Sequence, residues 1–209
     1  MSEPSNGGLA GEVYTETPLH YFHGSGAQGE QSGVIIREAP LKGHLVIRGS
    51  ADSDTFREGI SAVFGMALPM EPCTLVSAGE SSLYWLGPTE WLAIVPSGEE
   101  AALAMQLRDV DPGRVSAVDV SGGQTLINLS GAGVQTLLMK SSSYDFHPAN
   151  FGPGNCVQTT FAKATALVAG LENGSFDLVI RRSFADYLAR WLLDCDASFS
   201  PCEPELAPD

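Results

Sequence analysis

One order of elements recurs along this chain: an extended run, a capped helix, an extended pair, a further extended run and a second helix. In the first copy Leu45-Val46-Ile47-Arg48 precedes a helix from about Asp54, whose Phe56, Ile60, Val63 and Phe64 share one face before Gly65 ends it. Strands are predicted at 74–77, 83–86 and 91–95, the last two joined by a turn at Gly87-Pro88. Ser97 and Glu100 have capping-box spacing and open a helix to about Arg108, and an extended run over 115–120 closes the copy. The second copy has a strand over 125–129, Ser130 as a cap, and a helix with Val134, Leu137 and Leu138 on one face. An extended pair follows at 157–161 and 165–168, then Glu172-Asn173-Gly174 turns into a strand over 176–181. Ser183 with Asp186 is again box-like, ahead of the stripe Phe184, Tyr187, Leu188, Trp191 and Leu192.

Two copies that each mix strands and helices predict an α+β fold of two intertwined, duplicated strand-helix-strand-strand-helix units. Residues 41–195 form the predicted domain, with halves of about 41–120 and 121–195. Residues 1–40 are rich in Gly, Ser, Pro and Glu and are expected to be mostly irregular, and 196–209 is expected to be an acidic tail.

The formal charge of −14, from 25 acidic and 11 basic residues, repels phosphate backbones and anionic surfaces. Nucleic acid and membrane are therefore not expected partners. The first ten residues lack a basic and an apolar region, and no apolar run nears the roughly 18 residues a membrane span needs, so a cytoplasmic protein is expected. Cys73, Cys156, Cys195 and Cys202 contain no C-x-x-C and read as reduced thiols without a disulfide framework or a thiolate metal site.

The motif inventory yields no catalytic constellation. Gly24-Ser25-Gly26-Ala27-Gln28-Gly29 matches G-x-G-x-x-G, but no strand-turn-helix context surrounds it. His20 and His23 have only Glu16 nearby as a third metal ligand, where zinc needs three or four. His44 and His147 have no Ser or Cys partner that the sequence identifies, and Asp109/Asp111 and Asp194/Asp196 read as solvated helix ends. Arg181-Arg182 stands out in so acidic a chain. Lying at a strand end before the aromatic helix, Arg181, Arg182, Phe184 and Tyr187 are the candidate partner-contact residues, because a guanidinium fork and a rigid ring give much contact for little entropy.

Five ordered segments carry a family resemblance: Leu86-Gly87-Pro88-Thr89-Glu90-Trp91-Leu92, Val118-Asp119-Val120-Ser121, Leu129-Ser130-Gly131, Tyr144-Asp145-Phe146-His147-Pro148, and Arg181-Arg182-Ser183-Phe184-Ala185-Asp186-Tyr187-Leu188. Over about 35–195 the chain resembles the gamma subunits of heterotetrameric sarcosine oxidase, within the wider aminomethyltransferase fold group. The resemblance implies a subunit without a reaction or cofactor of its own, in a complex that demethylates sarcosine to glycine. It implies alpha, beta and delta subunits as partners. FAD, FMN, NAD, zinc and tetrahydrofolate are implied for those other subunits. The K-G-C-Y-x-G-Q-E signature of folate-binding relatives is absent, Gly152-Pro153-Gly154-Asn155-Cys156-Val157-Gln158 keeping only a loose echo, and no catalytic aspartate can be assigned, Asp119 included. The alternatives are a free-standing folate-binding or one-carbon-transfer protein and the equivalent subunit of an N-methylglutamate-type dehydrogenase.

Overall fold

The computed structural model describes residues 16–20, 28–29, 33–39 and 41–197. The outer parts of the expected tails lie outside these. Strand β1 (Gln28–Gly29) and β2 (Val34–Glu38) are followed by β3 (Lys42–Arg48), helix α1 (Asp54–Phe64), β4 (Leu75–Ala78), β5 (Ser81–Gly87), β6 (Glu90–Pro96), α2 (Glu100–Val110) and β7 (Ser116–Asp119). The second run comprises β8 (Gln124–Ser130), α3 (Val134–Ser141), β9 (Cys156–Phe161), β10 (Ala164–Gly170), β11 (Phe176–Arg181) and α4 (Ala185–Ala197).

The duplication is visible in the strand order. One sheet runs β4-β5-β6-β3-β7 and the other β9-β10-β11-β8-β2-β1, all neighbours antiparallel. Each copy thus places its own strands in the same sequence, with the helix-preceding strand fourth. The fifth place is filled differently. In the first sheet β7 follows its helix directly, whereas in the second the place beside β8 is taken by β2 from the far N-terminal side, pairing Ile35 with Ser130 and Glu38 with Ile127. That exchange is the intertwining. It also puts a strand at 34–38, inside the stretch expected to be mostly irregular.

Strand alternation sends successive side chains to opposite faces and so builds four layers. Leu45, Ile47, Trp91, Ala93 and Val95 face α1 and α2, where they meet Phe56, Ile60, Ala104 and Leu107. Ile127, Leu129, Leu178 and Ile180 face α3 and α4, against Leu137, Leu138, Leu188 and Leu192. The intervening residues, Tyr84, Leu92 and Ile94 on one side and Leu126, Leu167 and Val179 on the other, close the space between the sheets.

Helix α1 is capped as its sequence predicts: Ser53 Oγ accepts from Phe56 N, and Gly65 takes a left-handed φ of 67° while its N–H reaches Ser61 O. Three other caps are corrected. Helix α2 begins at Glu100 with Glu99 before it and no side-chain cap, because Gly98 at φ 92° turns the chain and takes Ser97 out of position. Ser130 is still in β8, and α3 starts three residues past Gly131 with Gly133 as its uncapped entry. Before α4 a 3-10 turn, Arg182–Phe184, replaces the expected box, and Asp186 instead pairs with Arg190 at 3.0 Å along the helix.

Asp177 of β11 lies between the sheets, where its carboxylate accepts from Asn128 Nδ2 at 2.7 Å. Burial pushes its carboxyl above the ordinary range, against the opposing effects of Asn128 and Lys42. The folded chain therefore keeps this proton to a higher pH than the unfolded chain does, and the residue costs stability as pH rises past the ordinary carboxylate value. Asp177→Asn keeps an acceptor for Asn128 without the charge. It is expected to raise Tm at pH 7 and leave it unchanged at pH 3; calorimetry returning no gain at pH 7 would contradict the assignment.

Candidate partner interface

The exposed end of β11 is built by register. Arg181 pairs with Gln124 at the start of β8, so the chain leaves the sheet beside the 3-10 turn Ser121–Gly123. That turn is locked from three sides. Asp119 Oδ1 accepts from Ser121 N at 2.9 Å and from Ser121 Oγ at 2.5 Å, His44 N donates to Ser121 Oγ at 2.9 Å, and Arg182 Nη1 makes a long 3.5 Å contact to Gly122 O. Arg181 and Arg182 are exposed, and neither forms an ion pair among the described residues. Arg181 stands at a cleft of about 140 Å³ between the two sheets, walled by Leu86, Leu92, Gln124 and Gln158.

The structure divides the four expected contact residues. Arg181, Arg182 and Phe184 come together on the surface, Phe184 being 40% exposed because it belongs to the turn before α4 and not to its buried stripe. Tyr187 is half-buried and packs against the core under α3 and α4, so it supports the turn from beneath. Val118, 50% exposed on β7, adds an apolar side chain just ahead of the 119–121 lock. The sequence reading placed it in a closing strand; only the sheet order shows that this strand is an edge.

The remaining candidates have structural geometry. His44 is 2% exposed, neither ring nitrogen makes a hydrogen bond of good geometry, and burial lowers its pKa below the usual imidazole value. Although His44, Asp119 and Ser121 are neighbours, Ser121 Oγ donates to the carboxylate and not to the imidazole, which is not how a general base activates a serine. His147 and Asp145 tie their own loop: Asp145 accepts from His147 N at 3.0 Å and from Asn150 Nδ2, and His147 Nδ1 accepts from Ala149 N at 3.2 Å. The backbone N–H of His147 is the main cause holding the Asp145 carboxyl below its ordinary range. The same loop sends Tyr144, Phe146 and Phe151 into a ring cluster at centroid distances of 5.0, 5.8 and 5.0 Å. Gln28-Gly29 of the glycine motif is a two-residue strand, and the next described element is β2 rather than a helix; Gly24 to Ala27 and His23 lie outside the described residues. Among the described residues no group of three or more His, Cys, Asp or Glu could hold a metal, and no helix is long and apolar enough to cross a membrane.

Residues 48–198 match the model of the sarcosine oxidase, gamma subunit family. The chain is 31% identical to "Sarcosine oxidase subunit gamma" of Corynebacterium sp. (strain P-1), over 88% of this chain and 91% of that one. It is 30% identical, with the same coverage, to the protein of that name from Arthrobacter sp.. Among solved structures, a chain of heterotetrameric sarcosine oxidase from Corynebacterium sp. U-96, in complex with pyrrole 2-carboxylate, superposes with a TM-score of 0.79 at 24% identity, over 90% of this chain and 98% of that one. Glycine cleavage system aminomethyltransferase T from Bartonella henselae superposes at 0.65 and 12% identity, over 87% of this chain and 57% of that one, a likeness of fold.

Proposed function

The chain belongs to the sarcosine oxidase, gamma subunit family, and from that premise we propose that it is a non-catalytic subunit of a heterotetrameric sarcosine oxidase, in the cytoplasm. It supports the oxidative demethylation of sarcosine to glycine, with the one-carbon unit passed to tetrahydrofolate. FAD, FMN, NAD, tetrahydrofolate and zinc belong to the alpha, beta and delta subunits in this reading. The observation that carries it is the identity of 31% along nearly the whole length of a gamma subunit. What the chain's own residues contribute is a docking surface. Arg181, Arg182 and Phe184, supported by Tyr187, offer two unpaired guanidinium groups and an exposed ring on a chain whose net charge is −14, which fits an acidic, ring-accepting patch on a partner. Binding stabilises the assembled enzyme by mass action.

Affinity purification of the chain from co-expression with its neighbours is expected to bring down two large flavin-binding polypeptides and a small zinc-binding one. A lone monomer would overturn the assignment. The double substitution Arg181→Glu, Arg182→Glu is expected to cut recovery of the partner chains by at least about tenfold. Because both side chains are exposed, Tm should stay at the parent value; full recovery of partners would move the docking surface elsewhere.

A further inference from the structure

Cys73 and Cys156, far apart in sequence, stand opposite each other where the two sheets meet. The antiparallel bridge Thr74↔Asn155 joins the residue before β4 to the residue before β9. Cys156 N donates to Cys73 O at 2.8 Å and Leu75 N to Gly154 O at 2.9 Å, so the two cysteines form a directly opposed, hydrogen-bonded pair. Such pairs hold their Cα atoms about 5.5 Å apart, inside the roughly 4.4–6.8 Å that a disulfide spans. Cys156 Sγ is turned toward the opposing segment, donating to Thr74 O at 3.1 Å and lying 3.7 Å from Trp85 O. Cys73 is exposed and sits at a left-handed φ of 61°, unusual for a residue with a side chain. Burial first, and the neighbouring Cys73 second, push the Cys156 thiol up to about 12. The two sulfurs therefore differ in access: one meets solvent and the other does not.

We propose that Cys73 and Cys156 form a reversible disulfide that staples the first half of the chain to the second, with Cys73 as the oxidant-accessible thiol and Cys156 as the resolving one. The oxidant is a hydroperoxide. The Cys73 sulfur attacks one oxygen of hydrogen peroxide, the O–O bond breaks, and Cys73 sulfenic acid and water result. The Cys156 sulfur then attacks the Cys73 sulfur, the S–S bond forms as the S–O bond breaks, and the departing hydroxyl leaves with the thiol proton as a second water. Two thiols lose two electrons and the peroxide gains them. A thiol reductant reverses the step by exchange. Since Cys156 stays protonated at neutral pH, the second step is the slower and accelerates as pH rises. The staple ties the lead-in of β4 in one sheet to the start of β9 in the other, and it does not depend on the subunit assignment.

The test uses the full chain, reduced, exposed to hydrogen peroxide and quenched with iodoacetamide. Non-reducing peptide mapping is expected to recover a Cys73–Cys156 linked peptide, with an intact mass lower by two hydrogens and a raised Tm, all reversed by dithiothreitol. In Cys73→Ser, which changes an exposed side chain and should melt with the reduced parent, the linked peptide and the Tm gain both disappear. The proposal is overturned if Cys73 ends as sulfinic or sulfonic acid with Cys156 still alkylated after denaturation. Linkage of Cys73 to Cys195 or to a second chain, or no reaction at all, overturns it equally.

Discussion

Gly131→Ala is expected to destabilise the chain by at least about 3 kcal/mol, lowering Tm by roughly 6–12 °C. Gly131 has a φ of +104°, where a side chain is strained, and a Cβ built there stands 1.9 Å from Gly33 O. That neighbour is backbone, at the turn into β2, and no rotamer change relieves the overlap. Either β2 moves off β8 or the entry to α3 shifts, since Gly133 N also reaches Gly33 O at 3.4 Å. Gly113→Ala is the matched control: its φ is +83°, but a Cβ there meets nothing within 4 Å, so only the conformational cost of about 1–2 kcal/mol applies. Equal Tm losses in the two variants would show that the close approach does not matter.

Trp91→Ala is expected to cost about 3–5 kcal/mol. Trp91 is fully buried between β6 and the helices, its ring centroid 5.5 Å from that of Phe56, and its Nε1 donates to Pro69 O at 2.8 Å. Alanine leaves a cavity as well as an unsatisfied carbonyl. Trp91→Phe fills most of the space and strands only the carbonyl, at about 1–3 kcal/mol. Denaturant titration separates the two contributions, and a loss below about 1 kcal/mol for Trp91→Ala would mean that the site relaxes around the missing ring.

The local signals of this sequence proved readable and the distant ones did not. Ser53 and Gly65 bracket α1 because an N-cap hydroxyl and a left-handed glycine act within one turn of the residues they serve. Ser97 and Ser130 look the same in sequence, yet Gly98 and Gly131 each redirect the backbone before the helix begins. The α+β duplication was legible from its repeated order, while the sheet that each strand joins was not. Val34-Ile35-Ile36-Arg37-Glu38 is a short apolar run whose partner, β8, lies some 95 residues away, so nothing nearby marks it as a strand. The same distance problem hid the approach of Cys73 to Cys156, and Phe184 could be separated from the stripe of α4 only once the 3-10 turn was seen. Arg181 and Arg182 were legible as a candidate interface because two adjacent cations are conspicuous in an acidic chain.

The position of β2 beside β8 sets an order on how the chain is made. During synthesis β2 emerges first and has no partner, while β3 to β7 can close their own sheet as soon as Asp119 is out. The earliest strand must then wait for β8, and its pairing closes a loop that contains an entire folded sheet. Registration of the second sheet therefore comes late. A ribosome stalled between the two halves should display a protease-resistant first sheet with residues 34–38 still open to cleavage.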